Sequence, residues 1–106
     1  MAPLKTAKLV ASVARVTGVR GTRCNEGLRF RVTVRSSDGS TVGVSAQVDD
    51  HPKETRPYQL KQIARQWCVD HDKIVDVLDT WGPDDLLAHL ARFTKAELMP
   101  PTYRQR

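Results

Sequence analysis

Two places in the chain gather side chains that could do chemistry. Asp49-Asp50-His51 sets two carboxylates beside an imidazole, and Cys68-Val69-Asp70-His71 spaces a thiol and an imidazole as half of a zinc site. A structural zinc needs four ligands, so the second cluster requires two more, for which Cys24 and His51 are the candidates. The first could serve a metal nuclease only with a second acidic cluster on a strand, and the sequence offers none. A polar linker is the expected reading of Asp49–His51, and no metal site is expected. Cys24 and Cys68 are widely separated with no CxxC spacing, which suits two reduced thiols. His89 lies between Leu86 and Leu90 on a helix flank and is expected to face solvent. Trp67 and Trp81 fall at core spacing and need no ligand. With no phosphate-binding glycine loop, dinucleotide fingerprint or GxSxG elbow, neither catalysis nor a cofactor is expected.

The elements that would position these residues belong to a short chain. At 106 residues, with 40% hydrophobic and 27% charged content, it makes one domain, residues 1–106, with a modest core. No apolar run is long enough to span a bilayer, and residues 1–18 lack the sustained apolar core of a secretory signal. The expected location is the cytoplasm.

Charge is distributed unevenly. Residues 1–48 carry eight Lys/Arg against Glu26 and Asp38, a balance of +6, whereas residues 49–92 carry six against nine acids, a balance of −3. A basic front half therefore precedes an acidic centre.

Lys8 to Val19 is rich in Val and Ala and reads as a first strand, with Val10, Ser12, Ala14 and Val16 on one face and Val13, Arg15 and Thr17 on the other. Gly18 to Gly27 reads as a loop. Leu28 to Arg35 alternates, placing Leu28, Phe30, Val32 and Val34 inward and Arg29, Arg31, Thr33 and Arg35 outward. Ser36-Ser37-Asp38-Gly39 is a hairpin turn, and Thr41 to Val48 alternates again. After the connector Asp49–Arg56, Pro57 opens a helix running to about Cys68. Asp70 caps a second helix that ends near Trp81 and Gly82. Pro83 opens a third, with Asp84 and Asp85 in its first turn and Leu86, Leu87, Leu90 and Phe93 as its apolar stripe. Thr94-Lys95-Ala96-Glu97 matches a capping box for a last turn, and residues 100–106 read as a flexible basic tail. The expected fold is α+β: an N-terminal three-stranded antiparallel β-meander followed by a bundle of three to four short helices.

Leu60 to Asp79 resembles the helix-turn-helix of bacterial and phage repressors such as the lactose-repressor family. Ile63 and Ala64 match the apolar and small residues that let the two helices cross. Cys68 stands where the turn usually has Gly, Val69 matches the apolar plug, and Ile74 and Val77 match the inward face of the second helix. Cys lacks the freedom of Gly to take a left-handed conformation. The resemblance implies a helix-turn-helix-like bundle and DNA binding, with the start and exposed face of the second helix in the major groove.

Those groove-facing positions are Asp70, His71, Asp72, Val75, Asp76 and Asp79, with Lys73 as the lone cation, and carboxylates oppose phosphates. Two readings answer this. Nucleic-acid backbone could lie on the basic strands, using Arg15, Arg20, Arg23, Arg29, Arg31 and Arg35, with Lys73 assisting. No exposed aromatic interleaves these arginines, so they would hold backbone without stacking bases. Equally, the arginines could pair with the acidic helices of their own chain. Alternatively Asp70, Asp72, Asp76 and Asp79 dock on a basic protein surface, an analogy of size and charge with anti-CRISPR phage proteins. The expectation is a small non-enzymatic binding protein of bacterial or phage origin: a helix-turn-helix-like DNA-binding regulator, possible as a homodimer, or an inhibitor or adaptor of a nucleic-acid-processing complex.

Overall fold

The computed structural model describes residues 4–25 and 27–99. The tail expected at 100–106 lies outside them.

A three-stranded antiparallel sheet, order β1-β2-β3, is formed by β1 (Thr22–Cys24), β2 (Gly27–Arg35) and β3 (Thr41–Val48). The α+β arrangement matches the expectation, but the third strand is not the one expected. Lys8–Val19 is instead covered by a helix, α1 (Thr6–Thr17), and the third strand is a short piece of what read as loop. Leu9, Val13 and Val16 explain this. Spaced four and three apart, they form one helical stripe and are completely buried. Burial of that stripe overrides the modest strand preference of the valines. Gly18 ends α1 in the left-handed conformation (φ 70°), its N–H donating to the Ala14 carbonyl at 2.9 Å.

The β2–β3 hairpin holds the expected register, with Phe30 opposite Ala46, Val32 opposite Val44 and Val34 opposite Val42. These six, with Val48, form the buried face of the sheet, and α1 packs on it beneath α3 and α4. The other face carries Arg29, Arg31, Thr33 and Arg35 into solvent.

The helical half follows in order: α2 (Pro57–Gln66), a 3-10 turn (His71–Lys73) running into α3 (Ile74–Thr80), α4 (Pro83–Leu90) and α5 (Lys95–Leu98). The apolar residues Ile63, Ala64, Trp67, Ile74, Val77, Leu78, Leu86 and Leu90 join the same core. Asp85 Oδ2 accepts the Gly82 N–H at 2.9 Å, and the Thr94–Glu97 capping box forms as read. Asp70 begins the 3-10 turn without a side-chain cap bond; its backbone carbonyl accepts the Lys73 N–H at 2.9 Å.

Helix α2 lies along the free edge of β3 and closes it with side chains. Gln59, 4% exposed, donates Nε2–H to the Gln47 carbonyl at 2.7 Å and accepts the Asp49 N–H at 2.9 Å through Oε1. Gln66 Oε1 accepts the Gln47 N–H at 3.3 Å. These two glutamines do for β3 what a fourth strand would do, satisfying backbone groups that burial leaves costly if unpaired.

Candidate nucleic-acid interface

The arginines grouped by sequence do not share one surface. Arg29, Arg31 and Arg35 stand in a row on the outward face of β2. Arg23 is opposite Leu28, so its side chain starts from the other face, and it forms an ion pair with Asp50 at 2.9 Å. Arg15 rises from α1 and donates to the last carbonyls of α3, those of Leu78 and, at 3.3 Å, Asp79, where a cation complements the helix dipole. Lys73 sits 3.9 Å from Asp70 on the α3 side. Arg20 is exposed in the loop before β1. Of the seven cations expected to act together, three remain as a coherent row.

Within that row Arg31 has a prepared place. A Cβ built on Gly43 would collide with its Nε and Nη2, so the guanidinium rests directly over the Gly43 backbone of β3. Gly43 is diagonal to Arg31, whose direct partner is Ser45. A glycine in a strand interior gives up β-propensity, and here the absent side chain clears the bed for the cation. Among the described residues, Arg29, Arg31 and Arg35 form no ion pair. The alternative in which they are neutralised by acidic helices of the same chain is therefore not realised. The flanking outward residues are Thr33, Thr41 and Ser45, and Phe30 is buried, so this face offers charge and hydroxyl groups without an aromatic platform.

The acidic residues occupy the helical half. Asp70, Asp72, Asp76 and Asp79 are all exposed around α3, and Val75, 48% exposed, stands among them. The charge asymmetry of the sequence thus becomes a spatial one, with a basic sheet face and an acidic helical surface.

The α2–α3 corner has well-defined geometry. Cys68 adopts φ 56°, the left-handed conformation that its side chain disfavours. Cys68 N–H donates to the Arg65 carbonyl at 3.3 Å and Val69 N–H to the Ala64 carbonyl at 2.9 Å, the two crossed bonds of a Schellman ending. Cys therefore performs the backbone task for which Gly is usual in the resembling motif.

His89 is not solvent-facing. It is half-buried between the rings of Trp81 and Phe93, each 5.1 Å away between centroids. Its Nε2 lies 3.1 Å from the Trp67 carbonyl and 3.0 Å from that of Cys68. Both neighbours are acceptors, so Nε2 carries the proton and donates to the carbonyls of the two residues that follow α2, its C-cap and the turn residue.

The ligand-like clusters resolve differently. Ligand atoms of Asp49, Asp50 and His51 lie within 4.8 Å of one another, beside a cavity of about 850 Å³ between the start of α1 and residues 50–54. The carboxylates are already engaged: His51 Nδ1 contacts Asp49 Oδ1 at 2.7 Å, and Arg23 pairs with Asp50. The His51 contact holds the Asp49 carboxyl below its ordinary pKa. Among the described residues, Cys68 and His71 gather no third ligand.

No protein-family model, curated protein or solved structure matches the chain. Among the described residues, no helix is long and apolar enough to cross a membrane.

Proposed function

We propose that this chain is a small non-enzymatic binding protein that holds nucleic-acid backbone on the outward face of its sheet, acting in the cytoplasm as a compact DNA-binding regulator. The observation that carries this reading is the row Arg29, Arg31, Arg35, without acidic partners among the described residues and with Arg31 bedded on Gly43. Cations held ready in this way release counterions from phosphates on contact, the main source of affinity for nucleic acid. The α2–α3 pair serves as a helix-turn-helix-like scaffold, and its acidic exposed surface turns away from the nucleic acid. A homodimer would double the row and supply the affinity a single small module lacks.

The test is a mobility shift on random duplex over a salt series. Binding should weaken steeply with salt, and Arg29/Arg31/Arg35→Ala should reduce the log–log slope by about 0.9 for each phosphate contact removed. Absence of any shift at low salt refutes the reading.

A second reading is favoured by Val75. An exposed apolar side chain among carboxylates is suited to docking on a basic protein surface, as an inhibitor or adaptor of a nucleic-acid-processing complex, in analogy with anti-CRISPR phage proteins. Comparing wild type with Asp72/Asp76→Lys in pull-downs tests it, and an unchanged set of partners counts against that surface.

A further inference from the structure

The two edges of the sheet are treated differently. Gln47 of β3 and Asp49 just beyond it turn backbone groups away from β2 and toward Gln59 and Gln66 of α2. Backbone direction alternates along a strand, so Ser45, Gly43 and Thr41 also turn away from β2. Their partners across the ladder are Arg31, Thr33 and Arg35, whose N–H and C=O groups must therefore point away from β3. That is the side where β1 lies, but β1 reaches only as far as Thr22 opposite Arg29. Beyond it the chain passes under the core face, where a Cβ on Gly21 would stand 2.8 Å from Phe30 Cζ. Among the described residues outside the sheet, nothing hydrogen-bonds to the backbone of Arg31 or Thr33, and β1 pairs with neither. The Arg31 side chain does not screen this edge either, because it leans the other way, over Gly43.

We propose that the Arg31–Arg35 edge of β2 is a docking site for an extended acidic segment of a partner protein, which adds to the sheet as an antiparallel strand. Charge selects this occupant. Two copies of the chain pairing edge to edge about Thr33 would set Arg31 against Arg35 twice, and like charges directly opposite are destabilising. An acidic strand converts both positions into attractive pairs. Its residues opposite Arg31 and Arg35 share the outward face and should be Asp or Glu. Those opposite Val32 and Val34 lie on the core face and should be apolar. The recognised pattern is acidic–apolar–polar–apolar–acidic. This site goes beyond the nucleic-acid reading, since it uses backbone groups in the plane of the sheet.

The experiment titrates the 15N-labelled protein with the peptide acetyl-EVTVE-amide, using acetyl-KVTVK-amide as control. In the free protein the Arg31 and Thr33 amides should exchange with solvent quickly while those of Val32 and Val34 are protected. The acidic peptide should shift the Arg31 and Thr33 resonances saturably and slow their exchange. Thr33→Pro removes one edge donor without touching the β2–β3 ladder, and should weaken the peptide by about tenfold, as expected for one lost hydrogen bond within a charged pairing. Arg31/Arg35→Glu should reverse the preference toward the basic peptide, and it tests the edge independently of how well the proline is accommodated. Protection of the Arg31 and Thr33 amides in the free protein, wild-type affinity in Thr33→Pro, or equal affinity for both peptides would each overturn the proposal.

Discussion

Gln59 offers the sharpest test of how the two halves are joined. Its amide gives one hydrogen bond to Gln47 and takes one from Asp49, both in a position that water scarcely reaches. Gln59→Leu keeps the bulk of the side chain but takes from the Gln47 carbonyl and the Asp49 N–H the bonds that the amide makes to them. At roughly 1–3 kcal/mol for each bond lost in a buried position, and with partial rehydration as β3 and α2 part, the expected loss is about 2–4 kcal/mol. For a chain of this length that lowers Tm by roughly 8–16 °C. Gln59→Glu separates the two bonds. Its carboxylate still accepts the Asp49 N–H, but it faces the Gln47 carbonyl with no proton to give. Burial and that carbonyl raise its folded pKa above the unfolded value of about 4.3. When protonated, the glutamate donates to Gln47 as glutamine does. The stability is therefore present below the unfolded pKa and lost as pH rises through the folded one. Urea unfolding followed by tryptophan fluorescence, with wild type measured beside each variant at pH 4 and pH 7, checks both effects. A Gln59→Leu protein within about 0.5 kcal/mol of wild type, the range of an ordinary surface change, refutes the edge-closing role. A Gln59→Glu deficit that does not grow with pH refutes the assignment of donor and acceptor.

Gly18→Ala combines left-handed backbone with a Cβ placed 2.7 Å from Pro83 Cγ, and thermal unfolding should show a loss of about 2 kcal/mol or more. At Cys68, glycine relieves about 1 kcal/mol of left-handed strain and should unfold no earlier than wild type, while the β-branched Cys68→Val should unfold earlier; the reverse order excludes strain at the corner. Gly43→Thr supplies a better strand former and should not lower Tm, yet it evicts the Arg31 guanidinium and should weaken nucleic-acid retention in the mobility shift. The Asp49 carboxyl is held below its ordinary range chiefly by the His51 side chain, so its contribution is present above the unfolded pKa and lost as pH falls through the folded one. His51→Ala should move the Asp49 titration, followed by carbonyl NMR, upward toward the usual carboxylate value.

Strong periodicity was legible wherever one residue pattern had one physical meaning. Leu28–Val48 alternates without interruption, and both the hairpin and its outward arginines followed from that. The helix starts at Pro57 and Pro83 and the Thr94–Glu97 box were equally plain, because proline and capping chemistry act locally. Lys8–Val19 misled because valine and alanine support both periods. Only the separation of Leu9, Val13 and Val16 identified the helix, and its value depends on a sheet face waiting to be covered. The site was legible in kind but not in membership. Spacing along β2 grouped Arg29, Arg31 and Arg35, whereas the dispersal of Arg15, Arg23 and Lys73 depends on carbonyls and carboxylates far away in the chain. Gly43 did leave a signal, since glycine inside an alternating strand marks a close approach. Gln59 left none: a glutamine among helix-surface residues looks the same whether it meets water or a strand edge.

The position of His89 has a consequence for the Leu60–Asp79 segment as a unit. The corner between α2 and α3 is held from outside, by an imidazole on α4 that grips the two carbonyls just past α2 while Trp81 and Phe93 hold its ring. The twenty residues that resemble a transplantable module are therefore not self-sufficient. Excised at Asp79, or grafted into another scaffold, they would leave behind the clamp that fixes the bend, and the two helices would be free to change their mutual angle. In this protein the shape of the motif is a property of the whole helical half.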